Sequence, residues 1–305
     1  MAKLKTDPIT EADIAEYLDK NSDFSFEIKT VKLLADLGYK CLHSGTYTDP
    51  VTGKTREFDI RVFKNKKLSS ALTLNFMAAI ECKNLKEHFP LVVQCLSRSK
   101  HDVEDMIFCY HNEVAQMMID DRMTKFVAGK YPFNAYAVPL HYCISLYTKG
   151  LPVGKSCDQV GRNTSNEVTG SDSDVFEKIS QAINSSFDLI QDAARCESST
   201  QYTITAIKPI LVIPDGMLWR ILYDEDGNIV EGPVQTNFVP YYYGKTWPYK
   251  DWDAEKEFTL KHLDIVTFSY LPEHIEKVFR IEKADIIDHL KDLQQSRVLP
   301  EEVRL

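Results

Sequence analysis

The chain has 305 residues, 44% hydrophobic and 27% charged, with a formal net charge of -9. That is the makeup of an ordinary globular protein, long enough to bury a core as one elaborated domain or two small ones, and it holds no apolar run of the roughly 18 residues that span a membrane. The negative balance speaks against a nucleic-acid binder that is basic all over, while seven cysteines, odd in number and without a CxxC pair, argue for reduced thiols in a cytoplasmic setting and against a zinc ribbon.

Thr10 with Asp13 three positions on predicts a short helix over residues 10–19. A second helix is predicted from Asp23 to Leu37, closed by Gly38, with an apolar stripe of Phe24, Ile28, Val31 and Ala35. Glu27 stands about 40° from that stripe on a helical wheel, a carboxylate leaning toward the core side. GYKCLHSG reads as a strand, and TDPVTGK as a turn built on Asp49-Pro50 and Gly53. Two strands follow, REFDIRVF from Arg56 and LNFMAAIECK ending at Lys83. Their two-residue period puts Phe58, Ile60 and Val62 on one face and Glu57, Asp59 and Arg61 on the other. It likewise separates Leu74, Phe76, Ala78, Ile80 and Cys82 from Met77, Ala79, Glu81 and Lys83.

Pairing of these strands would gather Asp59, Glu81 and Lys83 on one sheet face. Taking such charges out of water costs several kcal/mol each, so the cluster needs a reason. A divalent cation is one: carboxylates are hard ligands for Mg²⁺, and a neighbouring lysine can hold or deprotonate a metal-activated water. A structural salt-bridge cluster is the other. Lys54, Arg56, Arg61, Lys64, Lys66 and Lys67 form a local basic run around Glu57 and Asp59, suited to a phosphodiester or to a solvated hairpin.

With Glu27 on the first helix of this core, Asp59 on the second strand, and Glu81-Cys82-Lys83 at the end of the third, the chain resembles the PD-(D/E)XK nucleases of the restriction-endonuclease-like fold. The resemblance covers mainly residues 22–84 and continues through 174–214, and Phe58 stands where the family name has proline. It implies an α/β (α+β) fold with a central mixed β-sheet flanked by helices, and an αβββαβ core. Asp59 and Glu81 would bind Mg²⁺ (Mn²⁺ substituting), with the Cys82 backbone carbonyl and Glu27 completing the set, and Lys83 would position the attacking water. Gln181 would lie near the metal water, although the tyrosine that accompanies it in one branch is Ser185 here. Lys54 and Arg56 would hold flanking phosphates.

Between Asn84 and about Gly170 the chain reads as an insertion. PLVVQCLS and HYCISLY suggest strands, and HDVEDMIFCYHNEVAQMMIDDRM a helix; His101, Cys109 and His111 match no metal spacing. GLPVGKS is one residue short of a phosphate-binding loop and leads into a polar run read as a surface loop, which excludes an ATPase of that type. Asp174 as N-cap and Glu177 open a helix with Val175, Ile179, Ala182, Ile183 and Phe187 on its apolar face. KPILVI would be the fourth core strand, buried on both faces. Turns at Pro214-Asp215-Gly216 and Asp226-Gly227 follow, then an aromatic stretch (Tyr241 to Trp252) read as packing rather than base stacking, a strand LDIVTFSY, and a helix over 272–295.

The expected organisation is a core over residues 1–230 and a C-terminal extension over 231–305. The expected function is a cytoplasmic, Mg²⁺-dependent endonuclease on DNA, in prokaryotic defence or repair, with a homodimer as the form that cuts two strands. The alternatives are a non-catalytic nucleic-acid or protein-interaction module on the same fold, and an RNA-directed nuclease with the same site.

Overall fold

A computed structural model describes residues 7–288 apart from 50–51, 71, 87, 99–101, 103, 111–123, 129–130, 140–151, 172, 196–201 and 252–253. Helix α1 (Glu11–Asn21) starts at the expected cap, where Thr10 and Asp13 exchange side-chain and backbone bonds. Helix α2 (Asp23–Asp36) ends before Gly38, which takes a left-handed φ of 80°. Its buried face differs from the expected stripe. Phe24 and Ile28 are 59% and 44% exposed, and Phe26, Glu27, Thr30 and Leu34 are buried instead. Thr30 can sit inside because its hydroxyl donates to the Phe26 carbonyl at 2.9 Å.

Strands β1 (Lys40–Thr48), β2 (Thr55–Lys67) and β3 (Leu72–Cys82) form an antiparallel meander, with Ile60 opposite Ile80. The alternation divides as expected. Ile60, Val62, Leu74, Phe76, Ala78, Ile80 and Cys82 enter one core, while Met77 and Ala79 enter the other.

The segment read as an insertion holds β4 (Leu91–Ser97), β5 (Glu104–Tyr110), β6 (Thr124–Ala128), β7 (Tyr131–Pro139), β8 (Pro152–Arg162) and β9 (Val168–Ser171). The helix expected from residue 101 is therefore a strand over Glu104–Tyr110. The run Met-Ile-Phe-Cys-Tyr is too short for its period to tell strand from helix, and an open edge offered by its neighbours decides it. The polar run after Gly154 is likewise no open loop but the β8–β9 hairpin. Its turn is closed by the Asn163 side chain, which accepts from the backbone of Ser165 and Glu167, with Asn166 at φ 65°. HYCISLY, His101 and His111 lie outside the described residues.

Helix α3 (Ser173–Arg195) begins one residue before Asp174, which belongs to its first turn instead of capping it. Strand β10 (Tyr202–Ile213) runs parallel to β3 along the whole length of β3, and β11 (Leu218–Tyr223) and β12 (Ile229–Gln235) follow the two glycine turns. Strands β13 (Phe238–Asp251) and β14 (Ala254–Thr267) form a hairpin whose second strand is parallel to β10, so the C-terminal segment belongs to the same sheet. A turn of 3₁₀ helix (Phe268–Tyr270) leads into α4 (Leu271–Asp288).

The result is a mixed α/β fold around one 14-stranded sheet, in the order β1-β2-β3-β10-β14-β13-β8-β4-β11-β12 with β5, β6, β7 and β9 branching from it. Helix α3 covers one face through Val175, Ile179, Ala182, Ile183 and Phe187. Helices α2 and α4 cover the other through Phe26, Leu34, Leu271, Ile275 and Val278. Strand β10 is apolar on both faces because it lies between the two cores. Among the described residues no helix is long and apolar enough to cross a membrane.

Candidate active site

Where β2 and β3 lie side by side beneath α3, two carboxylates share one ammonium. Asp59 is fixed by the Cys82 backbone N–H, which donates to its Oδ2 at 2.8 Å. Glu81 accepts from the Asp59 backbone N–H at 3.4 Å. Lys178 Nζ on α3 donates to Asp59 Oδ2 at 2.8 Å and to Glu81 Oε2 at 3.2 Å. The strand pleat aims both acids at α3, and burial of Val175 and Ile179 turns Lys178 toward them.

Burial, and then the charge of Asp59, push the Glu81 carboxyl well above the usual range. Burial alone would lower Lys178, but Glu81 and Asp59 outweigh it and hold the ammonium above its ordinary value. Glu27 is also raised, first by burial and then by Asp59, which places it within electrostatic reach of Asp59. Its own partner is His43 on β1, at 3.0 Å between Oε2 and Nε2. Tyr47 on β1 is buried beside the cluster, and burial followed by the charges of Glu81 and Asp49 raises its phenol.

The expected residues divide unevenly. Asp59 and Glu81 meet at Lys178, while Glu27 is bonded to His43 and reaches only Asp59 and Lys178 electrostatically. Lys83 does not join them: it lies one residue beyond the end of β3 and pairs with Asp23 of α2 at 3.6 Å. Lys178 stands where the sequence reading put Lys83. Cys82 contributes its backbone N–H, while its side chain is wholly buried in the opposite core. Gln181 meets β1 through its main chain, whose carbonyl accepts a long 3.5 Å bond from the Tyr47 hydroxyl. Arg56 is drawn to Asp49 (3.4 Å) and Glu177 (3.7 Å), and Lys54 is exposed on the hairpin.

The basic run is not a continuous rim either. Arg61 is buried against Asp188 (2.7 Å), and Lys64 pairs with Glu276 on α4 (2.6 Å). Of the aromatic stretch, Tyr241 is buried and Tyr243 bonds Ser180 at 2.8 Å, which is packing against α3.

Lys178 and His43 were missed by sequence reasoning. A signal for the first existed: Lys178 precedes Gln181 by three positions and Ser185 by seven, hence shares their helix face. Among the described residues no group of three His, Cys, Asp or Glu side chains is arranged to hold a metal ion. No protein-family model, no curated protein and no solved structure matches this chain.

Proposed function

We propose that this chain is a divalent-metal-dependent hydrolase of DNA phosphodiester bonds, on a core that resembles the PD-(D/E)XK nucleases. The observation that carries the reading is the meeting of Asp59 and Glu81, from adjacent strands, on one positive charge, with Glu27 in electrostatic reach. The chain order α2-β1-β2-β3-α3-β10, with β10 parallel to β3, supports the same core.

Asp59 and Glu81, with Glu27 beside them, would hold Mg²⁺ or Mn²⁺. The donors fit: hard cations take carboxylate oxygens, and these two already balance a cation's worth of charge. When bound, such an ion polarises a phosphate and lowers the pKa of a coordinated water. The protein's own groups do the rest. Cys82 N–H orients Asp59. Lys178, held above its ordinary pKa, remains protonated at neutral pH and suits stabilising negative charge on a phosphate oxygen, not proton abstraction.

Supercoiled plasmid, linear duplex, single-stranded DNA and RNA, each incubated with Mn²⁺ or EDTA, test the reading. Metal-dependent cutting of DNA, lost in Glu81→Gln, is expected; cutting of RNA alone would reassign the substrate, and no cutting anywhere would overturn the hydrolase. Sedimentation of the same protein tests the homodimer that two-strand cutting calls for.

The Lys178 bridge favours a second reading, since it neutralises the acids internally. A non-catalytic nucleic-acid or protein-interaction module would need no more than that. Calorimetric Mn²⁺ titration separates the two, because only the hydrolase requires the ion to enter between Asp59 and Glu81.

A further inference from the structure

A cleft of about 310 Å³ opens beside the acidic pair, lined among others by Lys83, Lys86, Phe89, Gln159, Gly161 and Asp174. It adjoins the site along two elements. Lys83 is two residues, about 7 Å of extended chain, past Glu81, and Asp174 is four residues, about 6 Å of helix, before Lys178. Its volume lies at the small end of ligand sites, roughly 300–1,000 Å³, which is room for one nucleotide-sized group.

The wall opposite α3 comes from the insertion and is pre-set. An added Cβ at Gly161 would fall 2.0 Å from the Phe89 ring, so the edge of the ring abuts bare β8 backbone where only glycine leaves room. The Phe89 main chain is held at both ends, its N–H donating to the Lys86 carbonyl at 2.8 Å and its carbonyl accepting from Gln159 Nε2 at 3.1 Å. An aromatic residue on a held main chain, in a cleft that two lysines also line, near carboxylates suited to a metal, combines a stacking platform with phosphate partners.

We infer that this cleft binds a single unpaired nucleotide of the substrate strand, its base against Phe89 and its phosphate between Lys83 and Lys86. The inference rests on the phosphodiester reading for its choice of ligand, and it makes the substrate a strand that is single-stranded or locally opened beside the cut. Asp23, which also lines the cleft, holds Lys83 only loosely at 3.6 Å and takes its shorter bond from the Asn84 backbone N–H at 2.8 Å, so a phosphate can compete for that ammonium.

The test is fluorescence anisotropy in EDTA with a labelled ten-residue oligothymidylate and its abasic counterpart, on the full chain. The base-bearing strand should bind about tenfold more tightly, the scale of one base stacked on an aromatic side chain. Phe89→Ala and Gly161→Ala should erase that preference, Phe89→Trp should keep it, and the exposed Lys86→Ala should weaken both strands alike. Equal binding of the two strands by the natural protein, or an unchanged preference in a folded Phe89→Ala variant, would overturn the inference. Plasmid cutting assayed in parallel keeps the two proposals apart: cutting without base preference removes the cleft alone, and base preference without cutting removes the hydrolase and leaves a nucleotide-binding cleft.

Discussion

The ammonium of Lys178 lies 3.2 Å from the carboxylate of Glu81, a residue 97 positions earlier in the chain, and the same nitrogen reaches Asp59 at 2.8 Å. Glu81 is almost wholly buried, and its desolvation outweighs the attraction of that single lysine. The arrangement is held by the packing of α3 and not by its charges alone, so an incoming cation has a repulsive pair of acids to satisfy.

Removing the bridge should expose that repulsion. Lys178→Met leaves two buried carboxylates without a cation, at a cost of about 3–5 kcal/mol in unfolding free energy near neutral pH. Mn²⁺ should restore part of it in chemical denaturation, because binding to the folded state alone stabilises it. An equal loss with and without Mn²⁺ would count against the acids as a metal site.

The same variant should depend on pH in a set direction. Glu81 has a raised carboxyl in the folded protein, so its favourable contribution is complete below the unfolded value of about 4.3 and is lost as pH climbs through the folded value. Lys178→Met should therefore lie closest to the natural protein near pH 4–5 and fall further behind toward pH 8. Parallel stability curves over that window would show that the acids are not what the lysine compensates.

Glu81→Gln should stabilise the fold by about 1–2 kcal/mol near neutral pH while abolishing metal-dependent cutting. It keeps the side-chain shape, removes a buried charge facing Asp59, and leaves Lys178 its shorter bond to Asp59. Thermal unfolding and the plasmid assay read the two effects on one sample. A destabilised variant would mean that the Glu81 charge contributes to the fold.

The two lysines should part company in kinetics. Lys178→Ala is expected to abolish cutting, because its ammonium is the one beside the acids. Lys83→Ala, which loses only the Asp23 pair and a wall of the cleft, should raise KM with kcat within about tenfold. Loss of kcat in Lys83→Ala alone would return the catalytic role to Lys83.

Arg61 ties α3 to the strand that carries Asp59, bonding Asp188 at 2.7 Å and Ser185 at 3.3 Å with its guanidinium over the Phe58 ring at 4.1 Å. Arg61→Ala should cost about 3 kcal/mol by stranding Asp188 in a largely buried site. It should also lower cutting more than Asp188→Asn does, since only the first removes the whole tie. Similar stability in the Arg61 variant and the natural protein would show that α3 is seated by its apolar face alone.

Much of this is legible in the sequence. The alternation in β2 and β3 announced which side chains share a face, Gly38, Gly216 and Gly227 marked left-handed turns that they occupy at φ 80°, 75° and 83°, and the apolar period of α3 named its buried residues. Helix α2 was harder. Its buried face runs through Phe26, Glu27, Thr30 and Leu34, and a satisfied threonine hydroxyl and a buried glutamate look polar on any wheel.

What the sequence determined by itself is the direction in which each strand aims its side chains, because the two-residue pleat is a local property of the backbone. Asp59 and Glu81 were placed together on that ground alone. Which lysine meets them was decided only in three dimensions. Lys83 lies past the last paired residue of β3 and follows Asp23, while Lys178 arrives from a helix whose seating depends on apolar contacts made across both halves of the chain.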